Sequence, residues 1–102
     1  MKITIQTPGF KVTEPLQKFV VKNVNELEVY YNQIIEAQVC LRIGNAEKEN
    51  SKVCELKLIV PGNDLFASKH AATFEESLVI AIDAIKHQIE KIKTKRERQR
   101  TA

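Results

Sequence analysis

Residues 73–100 read TFEESLVIAIDAIKHQIEKIKTKRERQR, and this stretch decides the fold. Its apolar side chains recur every three or four residues, which predicts an amphipathic helix with one buried stripe. The stripe consists of Phe74, Leu78, Ala81, Ile82, Ile85, Ile89 and Ile92. Thr73 followed three residues later by Glu76 is typical of a capping box and predicts where the helix starts. Because no glycine or proline follows, we expect the helix to continue towards Arg100.

The positive charge of the chain is concentrated at the end of this helix. Residues 86–102 contain seven basic and two acidic residues, a net charge of +5, whereas residues 1–85 have a net charge of −2. At about 100° per residue, one flank of the stripe carries basic or polar side chains and no carboxylate. This flank consists of His87, Gln88, Lys91, Lys95 and Arg98. The other flank mixes cations with carboxylates: Lys86, Lys93 and Arg100 with Glu90 and Glu97.

Such a charge run is either a solvated helix face or a polyanion-binding surface. Here the basic residues continue after Ile92, where the apolar stripe ends, and Arg96 adds to them. We therefore favour polyanion binding over simple solvation.

The rest of the chain predicts four strands and a second amphipathic helix. Strands are predicted at residues 2–7, 37–43, 53–60 and 65–69, with Pro61-Gly62-Asn63 as the turn before the last strand. Residues 44–52 are predicted to form a long hairpin loop. Thr13 should cap a helix of about 18 residues. Its buried stripe is Leu16, Phe19, Val20, Val24, Leu27 and Tyr31.

The order β-α-β-β-β-α predicts one α+β domain over residues 1–102. Two helices should cover one face of a four-stranded, mostly antiparallel sheet, and residues 97–102 should form a frayed basic tail. In the second strand, alternation places Val39, Leu41 and Ile43 inward. On the first helix, a weaker basic patch is predicted because Glu26 can pair with one of its lysines. The patch consists of Lys11, Lys18, Lys22 and Asn25.

Composition excludes several classes of function. A chain of 102 residues with 43% hydrophobic and 28% charged residues is ordinary for one globular domain, and no apolar run is long enough to span a membrane. Met1 leads directly into a strand pattern rather than a signal peptide, so we expect a cytoplasmic protein. Cys40 and Cys54 are expected to be packing thiols on opposite sides of the sheet, since they lack the spacing of a zinc site.

The sequence does not predict an enzyme. His70 and His87 lack an evident carboxylate partner, and three glycines form no nucleotide-binding loop, so we expect no catalytic residue, metal, cofactor or small-molecule substrate. Base stacking is not favoured either, because the chain has no tryptophan and its phenylalanines follow core spacing. What remains is binding of phosphates and of the shape of folded RNA by exposed cations.

Residues 1–98 resemble the ribosome hibernation promoting factor family, also called ribosome-associated inhibitor A or sigma-54 modulation proteins. The resemblance is carried by residues 12–16, 27–34, 66–68 and 81–83. Six single positions also match: Phe19, Val20, Gln88, Ile89, Lys91 and Lys93. The resemblance implies a fold like that of double-stranded-RNA-binding domains, with both helices facing the small ribosomal subunit.

The resemblance also implies the partners and their contacts. Members of this family lie in the head–body channel against 16S rRNA, occupy the mRNA and tRNA sites, and silence idle 70S ribosomes. By position, the implied rRNA contacts are Lys22, Gln88, Lys91, Lys93 and Lys95.

The chain also departs from the family pattern. Asn23, His87 and Ala84 stand where relatives often have basic residues, while Arg96, Arg98 and Arg100 extend the basic surface. No stretch corresponds to the C-terminal domain of larger members, so we expect ribosome dimers to need another factor. The alternative hypothesis is a regulatory domain that binds an acidic protein.

Overall fold

The computed structural model describes residues 1–44 and 49–101, with side chains described up to Lys95. The element order is β-α-β-β-β-α, as predicted. The elements are β1 (Lys2–Gln6), α1 (Glu14–Tyr30), β2 (Glu36–Ile43), β3 (Lys52–Val60), β4 (Asn63–Ala71) and α2 (Phe74–Thr101). β4 is longer than the predicted strand because its whole length pairs with β3, from Asn63 opposite Val60 to Ala71 opposite Lys52.

The four strands form one mostly antiparallel sheet in the order β1-β2-β3-β4. β1 and β2 are parallel because α1 carries the chain back along the sheet, whereas the β2–β3 and β3–β4 pairs are antiparallel. The predicted Pro61-Gly62 turn is confirmed, with Gly62 at a φ of 84°, which glycine adopts without steric cost. The predicted hairpin loop, residues 44–52, lies partly outside the described residues, which do not include 45–48.

Both helices pack on the same face of the sheet. The predicted stripes are confirmed: Val20, Val24 and Leu27 of α1 are fully buried, and so are Leu78 and Ile85 of α2. They meet alternate residues of the strands, all of which point to this face. Those residues are Ala37, Val39, Leu41, Cys54, Leu56, Leu58, Val60, Leu65 and Ala67.

One core position differs from the sequence-based expectation, and one polar residue is buried within the apolar stripe of α2. Ile43 was predicted to point into the core, but its side chain is 43% exposed because it lies at the end of β2, where the sheet stops. Ser77, which interrupts the apolar stripe of α2, is fully buried and donates its hydroxyl to the carbonyl oxygen of Phe74 at 3.0 Å. The local bond offsets the cost of burying this polar group.

Both predicted helix caps are present. The Thr13 hydroxyl accepts the amide of Leu16 at 3.3 Å, and the Thr73 hydroxyl accepts the amide of Glu76 at 3.1 Å. Each bond satisfies one of the amides that the first turn of a helix leaves without a helical partner.

α2 contains 28 residues and is therefore roughly 42 Å long. It exceeds the nine-residue strand β4, which spans roughly 30 Å, so its C-terminal end projects beyond the sheet. The side chains of the predicted frayed tail, residues 97–102, lie outside the described residues. Within the described part of the chain, neither helix is long and apolar enough to cross a membrane.

Candidate nucleic-acid interface

The C-terminal half of α2 carries the predicted site residues on two different flanks. Lys86 and Lys93 are half-buried on the flank that faces the end of α1. His87, Lys91 and Lys95 are exposed on the outer flank. This division follows from the 100° rotation per residue and from the buried stripe that fixes how the helix lies on the sheet. The residues are thus brought together along one helix, but not on one face.

The flank beside α1 is organised by Tyr30, the last residue of that helix. The Lys93 ammonium donates a hydrogen bond of 2.8 Å to the Tyr30 carbonyl oxygen and lies 4.5 Å from the centroid of its ring. The Lys86 ammonium lies 5.7 Å from the same centroid. The Tyr30 hydroxyl donates to the Glu90 carboxylate, and this bond raises the pKa of the tyrosine.

Lys93 therefore has a structural role in the described structure. The last turn of α1 has no basic residue of its own, and Lys93 supplies the donor that a C-terminal carbonyl needs. Sequence reasoning missed Tyr30, because the residues that surround it lie about sixty positions further along the chain and no local pattern links them.

Gln88 is also engaged within the protein. Its side-chain amide donates a 2.8 Å hydrogen bond to the carbonyl oxygen of Phe66 on β4, which is an edge strand. The bond ties α2 to the edge and satisfies a backbone acceptor that an edge strand leaves unpaired. The second N–H of the Gln88 amide and its oxygen remain to bind RNA.

His87 has a carboxylate neighbour, contrary to the prediction. Its Nδ1 lies 3.9 Å from a carboxylate oxygen of Asp83, one turn earlier on α2. The i,i+4 spacing could have revealed this pair, since residues four apart are neighbours on a helix surface. Both side chains are exposed, so the pair is screened by water and contributes little to stability.

Among the lysines of α2 whose side chains are described, Lys91 and Lys95 are the two that are exposed. Both are exposed on the outer flank, one helical turn apart, and neither forms an ion pair within the part of the chain whose side chains are described. Their spacing on a rigid helix holds two positive charges on one surface. Such a pair can bind two phosphates without first breaking a contact inside the protein.

The predicted patch on α1 is exposed, but it lies apart from the cations of α2. Lys18 is paired with Glu14 at 3.0 Å, whereas Lys11, Lys22 and Asn25 are exposed. The sequence allows Lys22 to pair with Glu26. This pair is not among the ion pairs of the described residues.

The separation arises because α1 and α2 run side by side in the same direction. Phe19 lies beside Val79, and Tyr30 lies beside Lys93. Between these two levels, Glu26 and Asp83 line the groove between the helices. Along the helix axes, the basic patch of α1 is therefore level with the acidic first half of α2 and not with its basic end. Parallel alignment of two helices is a tertiary property that neither periodic pattern encodes.

Three predicted arginines cannot be placed on either flank. Arg96, Arg98 and Arg100 lie on the part of α2 whose side chains are not described, so their contribution stays a prediction.

The described residues offer no assembled metal or thiol site. No group of three or more histidine, cysteine or acidic side chains could hold a metal ion within the described part of the chain. Cys40 and Cys54 are free thiols on opposite faces of the sheet, as the register places Cys40 opposite Glu55 and Cys54 opposite Leu41. Burial raises the pKa of the Cys54 thiol to about 12.

Comparison with known proteins gives a family match over nearly the whole chain. A sequence model of the family described as "Sigma 54 modulation protein / S30EA ribosomal protein" matches residues 3–97. A Deinococcus radiodurans protein named ribosome hibernation promotion factor is 32% identical over 91 residues, which cover 88% of this chain and 48% of that protein. The chain thus spans about half the length of that relative. A Pseudomonas putida ribosome hibernation promoting factor is 28% identical over 102 residues, covering 99% of this chain and 92% of that protein.

Two solved structures share the fold. A ribosomal subunit interface protein from Coxiella burnetii superposes with a TM-score of 0.81 at 16% identity, over 92% of this chain and 99% of that one. The N-terminal domain of Thermus thermophilus Protein Y superposes with a TM-score of 0.76 at 20% identity, over 90% and 99% of the two chains. At these identities the similarity establishes the fold alone.

Proposed function

The chain belongs to the sigma 54 modulation protein / S30EA ribosomal protein family, and from this membership we propose that it is a ribosome hibernation factor. It binds the small ribosomal subunit through the cationic end of α2 and keeps idle 70S ribosomes silent. The names of the Deinococcus and Pseudomonas relatives support this proposal, and the Pseudomonas relative is of almost the same length. No catalytic step is part of it.

The observation that carries the proposal is the exposure of Lys91 and Lys95 on a helix that projects beyond the sheet. Phosphates dominate the affinity of proteins for RNA, and cations that no internal carboxylate neutralises contribute most to it. A projecting helix can enter a cleft that the wider sheet cannot. Its entry into the channel between the head and the body, against 16S rRNA, would exclude mRNA and tRNA from their sites.

Recognition in this proposal depends on charge and shape rather than on stacking. Phe66 is exposed, but it lies on the sheet face opposite the helices, together with Gln38 and Lys57. Lys22 of α1 provides a second contact point, roughly 15 Å along the helix axes from Lys91. Two contact points at a fixed separation favour a folded RNA surface over a flexible single strand.

Sedimentation of the protein with ribosomes from stationary-phase cells tests the proposal. At low salt we expect the wild-type protein in the ribosomal fractions, and the Lys91→Ala/Lys95→Ala variant near the top of the gradient. Lys2→Ala/Lys57→Ala is the matched control, since it removes the same charge from the uncovered sheet face. Wild-type protein found only in ribosome-free fractions would refute the proposal.

Ribonuclease treatment separates this function from the alternative of an acidic protein partner. Capture of a partner that persists after complete digestion of RNA would favour the regulatory protein-interaction domain. Loss of the captured material on digestion would favour the ribosome. A cytoplasmic location follows from the proposed function, because that is where its partner is.

A further inference from the structure

A groove between the first halves of α1 and α2 is apolar and acidic, whereas the candidate RNA interface is basic. It has a volume of about 350 Å³ and is lined by Phe19, Glu75, Glu76, Val79 and Ile80. The side chains of Val79 and Ile80 are 50% and 45% exposed, although they are branched and apolar. Single exposed apolar residues are common, but two on one groove beside an aromatic ring form a contiguous patch.

Carboxylates surround this apolar floor. Glu75 and Glu76 line it, and Glu26 and Asp83 line its continuation towards the end of α1. Lys86, at the far end, is the only cation that lines either part of the groove within the described residues. The N-terminal end of α2 offsets part of this negative charge through its helix dipole, but it does not reverse it.

Charge decides which class of partner fits. Phosphates of RNA would be repelled by four carboxylates, and an acidic polypeptide would be repelled in the same way. A polypeptide segment with lysine or arginine beside an apolar side chain matches both the floor and the rim. We propose that this groove, defined by Phe19, Val79, Ile80 and the carboxylates around them, binds a cationic polypeptide segment through an inserted apolar side chain.

The groove lies on the same helix as the lysines of the candidate RNA interface. Its expected partner therefore rests on the proposed function. Val79 precedes Lys91 by twelve residues on the same helix, a distance of roughly 18 Å. Proteins that share an RNA surface are themselves basic, so their segments have the required charge. α2 would then contact RNA with its second half and a basic protein segment with its first half.

The groove can be tested with the purified protein alone, without ribosomes. The probe is a fluorescein-labelled peptide rich in arginine that contains two leucines. A peptide with serines in place of the leucines, and one with glutamates in place of the arginines, serve as controls. We expect only the arginine–leucine peptide to bind. Its binding should change the chemical shifts of the Val79 and Ile80 methyl groups in NMR spectra.

Val79→Lys is the decisive variant. It removes an apolar residue from the floor of the groove, adds a positive charge that repels the arginine-rich peptide, and keeps good helix propensity. We expect it to weaken peptide binding by about tenfold or more. Val29→Lys is the matched control, because Val29 is 92% exposed on α1 and does not line the groove. It should leave the affinity unchanged. Equal loss of affinity in both variants, or tight binding of the serine peptide, would overturn the proposal.

Two further measurements keep this result distinct from the ribosomal function. Binding of a 16S rRNA fragment should be unaffected by Val79→Lys and weakened by Lys91→Ala/Lys95→Ala. If Val79→Lys strengthened RNA binding and left peptide binding unchanged, the groove would be an RNA surface and the proposal would be wrong. If the wild-type protein bound the peptide but not ribosomes, the groove proposal would stand and the hibernation proposal would fail.

Discussion

The ammonium of Lys93 on α2 donates a hydrogen bond of 2.8 Å to the carbonyl oxygen of Tyr30, the last residue of α1. One of the cations expected to meet RNA is thus used to complete another helix. Lys91, two residues earlier, is exposed and has no such partner among the described residues. The two lysines are similar in sequence context, but removing each should have a different effect.

Lys93→Ala should lower the free energy of unfolding by about 1 kcal/mol, because it removes a charged hydrogen bond and leaves a terminal carbonyl of α1 without that donor. Lys91→Ala should change it by less than about 0.5 kcal/mol, as expected for an exposed position. Urea unfolding followed by circular dichroism measures both values. Equal stability of the two variants would show that the bond to Tyr30 contributes nothing measurable.

Lys91→Ala/Lys95→Ala should weaken ribosome binding and make it less sensitive to salt. Each lost phosphate contact should reduce the slope of log affinity against log salt concentration by roughly one unit. Binding of the labelled protein to purified small subunits over a range of salt concentrations gives this slope. An unchanged slope would exclude a phosphate-binding role for these lysines, and an unchanged melting temperature would show that the double variant is folded.

Ile85→Ala should destabilise the protein by about 2 to 5 kcal/mol, because it opens a cavity where α2 packs on the sheet and Ile85 is fully buried. Ile80→Ala removes the same atoms from a half-exposed position and should cost less than about 1 kcal/mol. Chemical denaturation of both variants gives the comparison. Similar losses would mean that α2 is not anchored through this face.

The stability of the protein should depend on the protonation of Cys54 at alkaline pH. Burial raises the pKa of this thiol from 9.0 to about 12. Between these values the native state keeps a proton that the unfolded chain releases, so this contribution to stability is complete below pH 9 and is lost as the pH rises towards 12. The thiol should lower the free energy of unfolding by up to about 1.4 kcal/mol per pH unit in this range.

Denaturation from pH 9 to pH 11 checks this contribution, with Cys54→Ala as the control. The variant should be less stable overall because of its cavity, but its stability should fall less steeply with pH. Parallel slopes in the two proteins would show that Cys54 does not titrate as its burial requires.

Local patterns were sufficient for the elements and for their buried faces. The spacing of Leu78 and Ile85 predicted which side of α2 is covered, and Thr13 and Thr73 predicted where the helices start, because these properties depend on neighbours within one or two turns. Ile43 was placed wrongly, since alternation predicts the direction of a side chain but not where the sheet above it ends. The contact between His87 and Asp83 was within reach of the sequence and was missed.

The sequence by itself determined the β-α-β-β-β-α order, the two amphipathic helices and the concentration of positive charge in the last helix, because periodicity and charge are properties of short segments. Only the tertiary structure decided which cations are available. It aligned α1 parallel to α2, placed Tyr30 beside Lys86 and Lys93, and formed an acidic, apolar groove between α1 and the first half of α2. These relationships depend on side chains far apart in sequence, which meet only when both helices pack on the same face of one sheet.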